Sequence, residues 1–118
     1  MTNIFTNQAE ALRLGASWGL FRPMRNEYII LTGKMSIPRA VWHRIINAAG
    51  GAHLTAVTIG TTLVVQADDD DTETAKVQGA RRRGIPVIKE SAFVAALLPT
   101  AEELETGFIA PFSSEALR

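Results

Sequence analysis

The sequence predicts an α/β fold: a small four-stranded parallel sheet flanked by three helices, with helices on both faces. Four short runs are rich in β-branched residues, and runs with helical spacing stand between most of them. This alternation is typical of parallel sheets, because each parallel connection must cross back over the sheet. Apolar residues make up 47% of the 118 residues, which is enough to bury one core without disulfides.

The first predicted strand is Tyr28–Leu31, a continuous apolar run that is too short for a buried helix. It ends at Thr32 and Gly33, where a hydroxyl group precedes a residue without a Cβ atom. Backbone at such a position can approach an anion closely. An ordinary turn is the alternative at this point, since Thr-Gly is common after strands.

Residues 1–26 form an N-terminal extension ahead of this strand. Asn7 is predicted to cap a short helix that runs to about Arg13. An apolar cluster follows, which we expect to dock on the domain or to belong to an interface. Its members are Trp18, Leu20 and Phe21.

The first helix of the domain has its start signals at Ser36 and Pro38 and is predicted to run to about Ala49, before two glycines. Arg39 lies in its first turn. Apolar residues recur at intervals of three, four and seven, so one stripe of the helix should face the sheet. These residues are Trp42, Ile45, Ile46 and Ala49.

Two further strands are predicted at His53–Val57 and Thr62–Gln66, and four aspartates, Asp68–Asp71, follow them. Adjacent aspartates can suggest a divalent cation site. These four lack the alternating ligand spacing and the glycine of a calcium loop, so we expect a solvated acidic loop instead.

Asp70 and Glu73 have the spacing of a capping box, which predicts a second helix through Arg83. Lys76 falls in its early turns, where a cation opposes the helix dipole. A bound anion would offset that cost, although chance placement on the surface explains the lysine equally well.

The fourth strand is predicted at Ile85–Ile88, at an edge of the sheet because Pro86 has no N–H to donate. Ser91 is predicted to cap a third helix over residues 92–98. Residues 99–118 are expected to form a C-terminal tail, in which one more short turn precedes a loose segment over residues 107–118, apart from Phe108-Ile109. The cap signals of that turn are Thr100 and Glu103.

Composition narrows the function. The formal charge is zero, so nucleic acid could bind only through a local patch. There are no cysteines, no secretory leader pattern and no run long enough to span a bilayer. We therefore expect a soluble cytoplasmic protein, associated with the nucleoid if it binds DNA, with no membrane contact, metal or cofactor.

Right-handed crossovers would bring the end of the first strand and the start of the second helix to the same edge of the sheet. Thr32, Gly33 and Lys76 are therefore expected to lie close together. A hydroxyl, a backbone N–H and a cation are suitable donors for a phosphate group.

Several spaced landmarks resemble the BRCT domain over residues 27–98. Thr32-Gly33 closes the first strand, Arg39 stands eleven residues before Gly50, and Lys76 is followed by Gly84. The sequence is most similar to BRCT domains of bacterial NAD-dependent DNA ligases, the large subunit of replication factor C and polymerase III epsilon-like exonucleases.

The resemblance implies a non-catalytic binding module of DNA replication and repair that recognises a phosphate group. In phosphate-binding members, the residues that match Thr32, Gly33 and Lys76 hold the phosphate, and members that bind 5′-phosphorylated DNA add the arginine that matches Arg39. The implied partner is either a 5′-phosphorylated DNA end or a phosphorylated protein. Secondary basic candidates are Lys34 and Arg44.

Two features weigh against simple DNA binding. Residues 27–98 hold eight Lys and Arg against seven Asp and Glu, a net charge of only +1, and the four aspartates would repel a nucleic-acid backbone. The alternative is a protein interaction or oligomerisation module that ignores phosphate and uses the apolar cluster of the N-terminal extension or Phe108-Ile109. Catalysis is not expected, since His43 lies off the apolar stripe of its helix and should be exposed, and His53 lies in a strand and should belong to the core.

Overall fold

The computed structural model describes residues 21–36 and 38–118. It confirms the predicted α/β class, with four parallel strands in the order β2-β1-β3-β4. The predicted helix from Asn7 and the side chains of Trp18 and Leu20 lie outside the described residues. The strands are β1 (Tyr28–Thr32), β2 (Ala52–Leu54), β3 (Leu63–Gln66) and β4 (Val87–Lys89).

Helices cover both faces of the sheet, as the strand pattern predicts. In the described part of the chain, no helix is long and apolar enough to cross a membrane. The helices are α1 (Arg39–Ala48), α2 (Ala75–Arg82), α3 (Glu90–Leu97) and α4 (Ala101–Thr106), followed by a 3-10 helix at Ser114–Leu117.

Strand β1 is central, and its alternate side chains enter two different cores. Ile29 and Leu31 join the larger core with Trp42 of α1 and Phe93 of α3. Ile30 points to the opposite face, into the smaller core beneath α2. Because neighbouring residues of a strand face opposite sides, a strand buried on both faces reads as the unbroken apolar run seen in the sequence.

The edges of the sheet are β2 and β4, so the edge position predicted for the fourth strand is confirmed. Strand β2 is shorter than predicted: only Ala52–Leu54 pair with β1, and residues 55–57 turn away from the sheet. Strand β4 begins at Val87, after Pro86. The β-branched composition of these runs could not show where pairing stops.

The predicted capping box of the second helix is wrong. Helix α2 begins at Ala75, and its cap is Thr74, whose Oγ1 accepts a hydrogen bond from the N–H of Val77. Asp70 instead accepts a hydrogen bond from the N–H of Thr72, two residues on, at 2.9 Å. Asp and Thr are both good cap residues, and the aspartate is used for a local turn.

The predicted cap of the third helix is also wrong. Helix α3 starts directly after β4, and its N-cap residue Lys89 makes no side-chain cap bond. Ser91 contributes its backbone N–H rather than its hydroxyl, donating to Oδ1 of Asp68 at 2.9 Å. A carboxylate from another loop therefore supplies the cap, which local sequence cannot indicate.

The short helix after Thr100 is confirmed as α4, with the predicted Thr100–Glu103 capping box. The expectation of a loose tail is wrong. Phe112 is buried in the larger core, its ring 5.7 Å from that of Phe93, and its N–H donates to the carbonyl of Pro23 at 2.9 Å. Phe21 packs against the same core. The division of the chain at residues 26 and 98 stays a prediction.

Candidate functional site

The end of β1 is a close-packed turn that requires glycine. Gly33 has φ +89°, and a Cβ atom built there would lie 2.8 Å from Oδ2 of Asp70 and 2.9 Å from Cβ of Ala67. Thr32 is only 5% exposed, and its carbonyl accepts a hydrogen bond from the N–H of Ala67 at 2.9 Å. The carboxyl ends of β1 and β3 therefore meet here, because Thr32 is paired with Gln66.

Arg39 reaches this strand end from the first turn of α1. Its Nη1 donates to the carbonyl of Leu31 at 2.7 Å, and its Nη2 donates to the carbonyl of Gly33 at 2.8 Å. A guanidinium group has five N–H donors, so the remaining donors can serve another acceptor. The structure thus brings Arg39 together with the Thr32-Gly33 turn.

Lys76 lies in the early turns of its helix, as predicted, and its closeness to the Thr32-Gly33 turn stays a prediction. The lysine lies in the first turn of α2 and lines a cleft with residues that follow β2, among them Thr55 and Val57. Within the described residues, it makes no hydrogen bond or ion pair with Thr32 or Gly33. A ligand would have to bridge the lysine and the turn.

The secondary candidates Lys34 and Arg44 are both exposed. Lys34 directly follows the glycine turn, and Arg44 lies on α1, five residues after Arg39. Neither forms an ion pair with a described residue, so both cations are open to solvent.

Asp70 places a negative charge against the glycine turn. Hydrogen bonds from Thr72 lower the pKa of its carboxyl group, and the nearby Lys89 ammonium lowers that pKa further. The carboxylate is therefore charged at neutral pH and lies where an anion approaching Gly33 would come close to it.

The acidic loop is exposed at Asp68, Asp69 and Asp71, as predicted, and specific contacts also hold it in place. Lys89 donates from Nζ to the carbonyl of Asp70 at 2.6 Å and to Oδ1 of Asp71 at 3.1 Å. Asp68 caps α3, as described above. The partners that hold the loop come from β4 and α3, which the local sequence could not indicate. Among the described residues, no group of acidic, His or Cys side chains is arranged to hold a metal.

Glu90 is a buried residue that supports the loop after Gly33, and the sequence analysis did not single it out. It is 1% exposed, and Oε2 accepts a hydrogen bond from Nε1 of Trp42 at 2.8 Å. Its Oε1 accepts from the N–H of Ser36 at 2.9 Å. The buried carboxylate thereby fixes the loop that leads from Gly33 to α1. A glutamate at the junction of a strand and a helix offered no signal of this role.

His43 and His53 stack on each other, with ring centroids 3.7 Å apart and nearly parallel planes. Burial lowers the pKa of His43, and both His53 and Arg39 lower it further. The neutral form of the His43 ring is therefore favoured. The pair joins α1 to the edge strand β2.

Together, these features define a small α/β domain whose central strand ends in a glycine turn with an arginine folded onto it. The unused N–H donors of Arg39 are available to a ligand at that end. A family model described as the BRCA1 C Terminus (BRCT) domain matches residues 21–97, well over half of the chain. The chain belongs to the BRCT family. No curated protein matches it at a significant level.

BRCT domains are generally non-catalytic interaction modules of DNA repair and replication proteins. As a family they bind phosphopeptides, DNA or other proteins. The closer likeness to ligase, replication factor C and exonuclease domains stays a prediction.

Proposed function

We propose that the domain recognises a phosphate group, on a 5′-phosphorylated DNA end or a phosphopeptide, with Thr32, Gly33, Arg39 and Lys76. The observation that carries the proposal is the position of Arg39, whose guanidinium group is held by the carbonyls of Leu31 and Gly33. That contact keeps a permanent cation beside the Thr32-Gly33 turn.

The proposed chemistry is charge-assisted hydrogen bonding. The Thr32 hydroxyl and the Gly33 N–H would each donate to a phosphate oxygen, while Arg39 offers its unused N–H donors and Lys76 adds a second cation. A terminal phosphate carries close to two negative charges, so it should be preferred over an internal diester with one. Lys34 and Arg44 would add only long-range attraction.

The site works by binding alone. No bond is made or broken in this proposal, and any catalysis would belong to a domain that acts together with this one. The resemblance to ligase, replication factor C and exonuclease domains supports a role beside such enzymes, in the cytoplasm of a bacterial-type cell.

The test is a binding titration of the full chain with matched ligands. Duplex DNA with and without a 5′-phosphate, and a serine peptide with and without a phosphate, would be compared by fluorescence anisotropy. We expect the phosphorylated form of one pair to bind at least about tenfold more tightly, from one or two charge-assisted bonds. Equal affinities within both pairs would reject the proposal.

Variants then identify the residues. Arg39→Gln and Lys76→Glu should reduce the preference for the phosphorylated ligand, because each removes a cation from the proposed site. Arg44→Gln is the matched control, since Arg44 lies on the same helix and its charge is open to solvent. An equal loss in Arg44→Gln would point to general electrostatic attraction instead.

A second candidate is phosphate-independent protein interaction. Phe108 is 74% exposed, and Leu104, four residues earlier on α4, is 50% exposed. Large apolar side chains that are exposed near each other in the chain favour an interface. Phe108→Ser together with Leu104→Ser should then abolish self-association or partner capture in sedimentation experiments, and a wild-type chain that stays monomeric with every candidate partner would count against this function.

A further inference from the structure

An open cleft of about 510 Å³ lies between α2 and the loop that follows β2. Residues 55–57 form one wall, because the chain leaves the sheet after Leu54. One face of α2 forms the other wall. Its lining residues on the helix side include Lys76, Gly79, Arg82 and Arg83.

Three cations border this cleft without a counter-ion. Lys76, Arg82 and Arg83 form no ion pair with any residue in the described part of the chain. Arg81, which does not line the cleft, is paired with Glu73 at 3.3 Å. The helix thus directs its unpaired positive charge into the cleft, at both ends of a span of about 10 Å.

The floor of the cleft, between its charged ends, is lined by small or apolar residues, among them Val57 and Gly79. A Cβ atom built on Gly79 would meet the Val57 side chain at 3.8 Å, an ordinary van der Waals contact, so helix and loop lie close together at this point. Ala56 and Ala75 also line it. Small side chains on both walls leave room for the side chain of a ligand.

We propose that this cleft binds an acidic peptide segment of a partner protein. Carboxylates of the peptide would pair with Lys76 at one end and with Arg82 and Arg83 at the other, and a small apolar side chain would lie on the floor at Val57. The site does not depend on phosphate recognition at Thr32 and Gly33, although Lys76 borders both.

Peptide is favoured over nucleic acid by three observations. The floor is apolar, which suits a side chain better than a sugar-phosphate backbone. Among the described residues, none that lines the cleft is aromatic, so these residues offer no ring on which a base could stack. The chain as a whole has a formal charge of zero, so it lacks the general field that draws in a polyanion.

The experiment is an NMR titration of the full chain with a blocked octapeptide of four glutamates, two alanines and two serines. Amide signals of residues 55–57 and 75–83 should shift, and the same peptide with glutamines in place of glutamates should leave them unchanged. Arg82→Glu with Arg83→Glu should weaken binding at least about fivefold, since attraction becomes repulsion. The neutral Arg82→Gln, Arg83→Gln variant should lose less.

Arg81→Glu is the matched control and should leave the affinity within about twofold of wild type, because Arg81 lies outside the cleft. Thr32→Ala should also leave it unchanged, so failure of the phosphate site would not affect this result. Unaltered peptide binding in the Arg82, Arg83 variants would overturn the proposal. A single-stranded oligonucleotide that shifts the same signals at lower concentration would overturn it as well.

Discussion

At the scale of single residues, Asp70 governs how an anion would meet the end of β1. Its carboxylate lies against Gly33, while its Oδ1 is engaged by the N–H of Thr72. The Gly33 turn is therefore flanked by the positive charge of Arg39 and the negative charge of Asp70. Any phosphate bound there must tolerate or displace this carboxylate.

Removing that charge should strengthen phosphate binding. Asp70→Asn keeps an oxygen for the Thr72 N–H but removes the repulsion, so we expect affinity for a phosphorylated ligand to rise about threefold to tenfold at low salt. Asp69→Asn is the control, with the same change of charge one residue away. Anisotropy titrations at two salt concentrations would measure both, and a smaller gain for Asp70→Asn than for Asp69→Asn would contradict the prediction.

Gly33 should be intolerant of any side chain. Gly33→Ala combines a positive φ with contacts below 3 Å to Asp70 and Ala67, and we expect a loss of about 1–3 kcal/mol in the free energy of unfolding. Gly84→Ala is the matched control, because Gly84 has φ +70° but nothing within 4 Å of the added Cβ. Urea denaturation of both variants separates crowding from backbone strain, and equal losses would show that crowding contributes nothing.

At the scale of secondary-structure elements, the face that a helix buries was easier to predict than the residue that caps it. The apolar stripe of α1 was predictable, since Trp42, Ile45 and Ile46 are all buried. The caps of α2 and α3 were not, because several nearby residues can cap and only their positions in the folded chain select one. The predicted end of β2 at Val57 was wrong for a similar reason, because pairing with β1 ends at Leu54.

One substitution tests the observed cap of α2, and a second tests the predicted cap of α3. Thr74→Ala should reduce the free energy of unfolding by about 1 kcal/mol, because the N–H of Val77 loses its acceptor. Ser91→Ala should change it by less than about 0.5 kcal/mol, since α3 uses the backbone N–H of Ser91 and not its hydroxyl. Thermal or urea unfolding would measure both, and a larger loss for Ser91→Ala would refute the assignment.

At the scale of the whole molecule, a polar clamp joins the segment before β1 to the C-terminal residues. Arg22 donates to both carboxylate oxygens of Glu103 and to the carbonyl of Ala110. Glu103 also accepts from the N–H groups of Thr100 and Ala110. These contacts, with Phe112 in the core, join α4 and the residues around Ala110 to the segment before β1.

The clamp predicts how stability depends on pH. The Arg22 side chain, with help from the N–H groups of Thr100 and Ala110, lowers the pKa of Glu103 to about 2. A carboxyl group with a depressed pKa stabilises the fold above its unfolded pKa, near 4.5, and that contribution is lost as pH falls towards about 2.

Urea denaturation at pH 7, 4 and 2.5 would test the clamp. Glu103→Gln should be less stable than wild type at pH 7, and the difference between them should shrink as the pH falls. Glu105→Gln is the control, since Glu105 is exposed on the same helix. A difference between Glu103→Gln and wild type that stays constant with pH would rule the clamp out as the source.

The sequence by itself determined the α/β class, the central buried strand, the apolar face of α1 and the Thr32-Gly33 turn with Arg39 near it. Each of these depends on local periodicity or on residues a few positions apart. Only the tertiary structure decided that Asp70 lies against Gly33, that Glu90 holds the loop from Ser36, that Lys76 faces a cleft with the arginines of α2, and that Phe112 completes the core. These contacts join residues far apart in the chain, and their partners are selected by the packing of the sheet and its helices rather than by any local pattern.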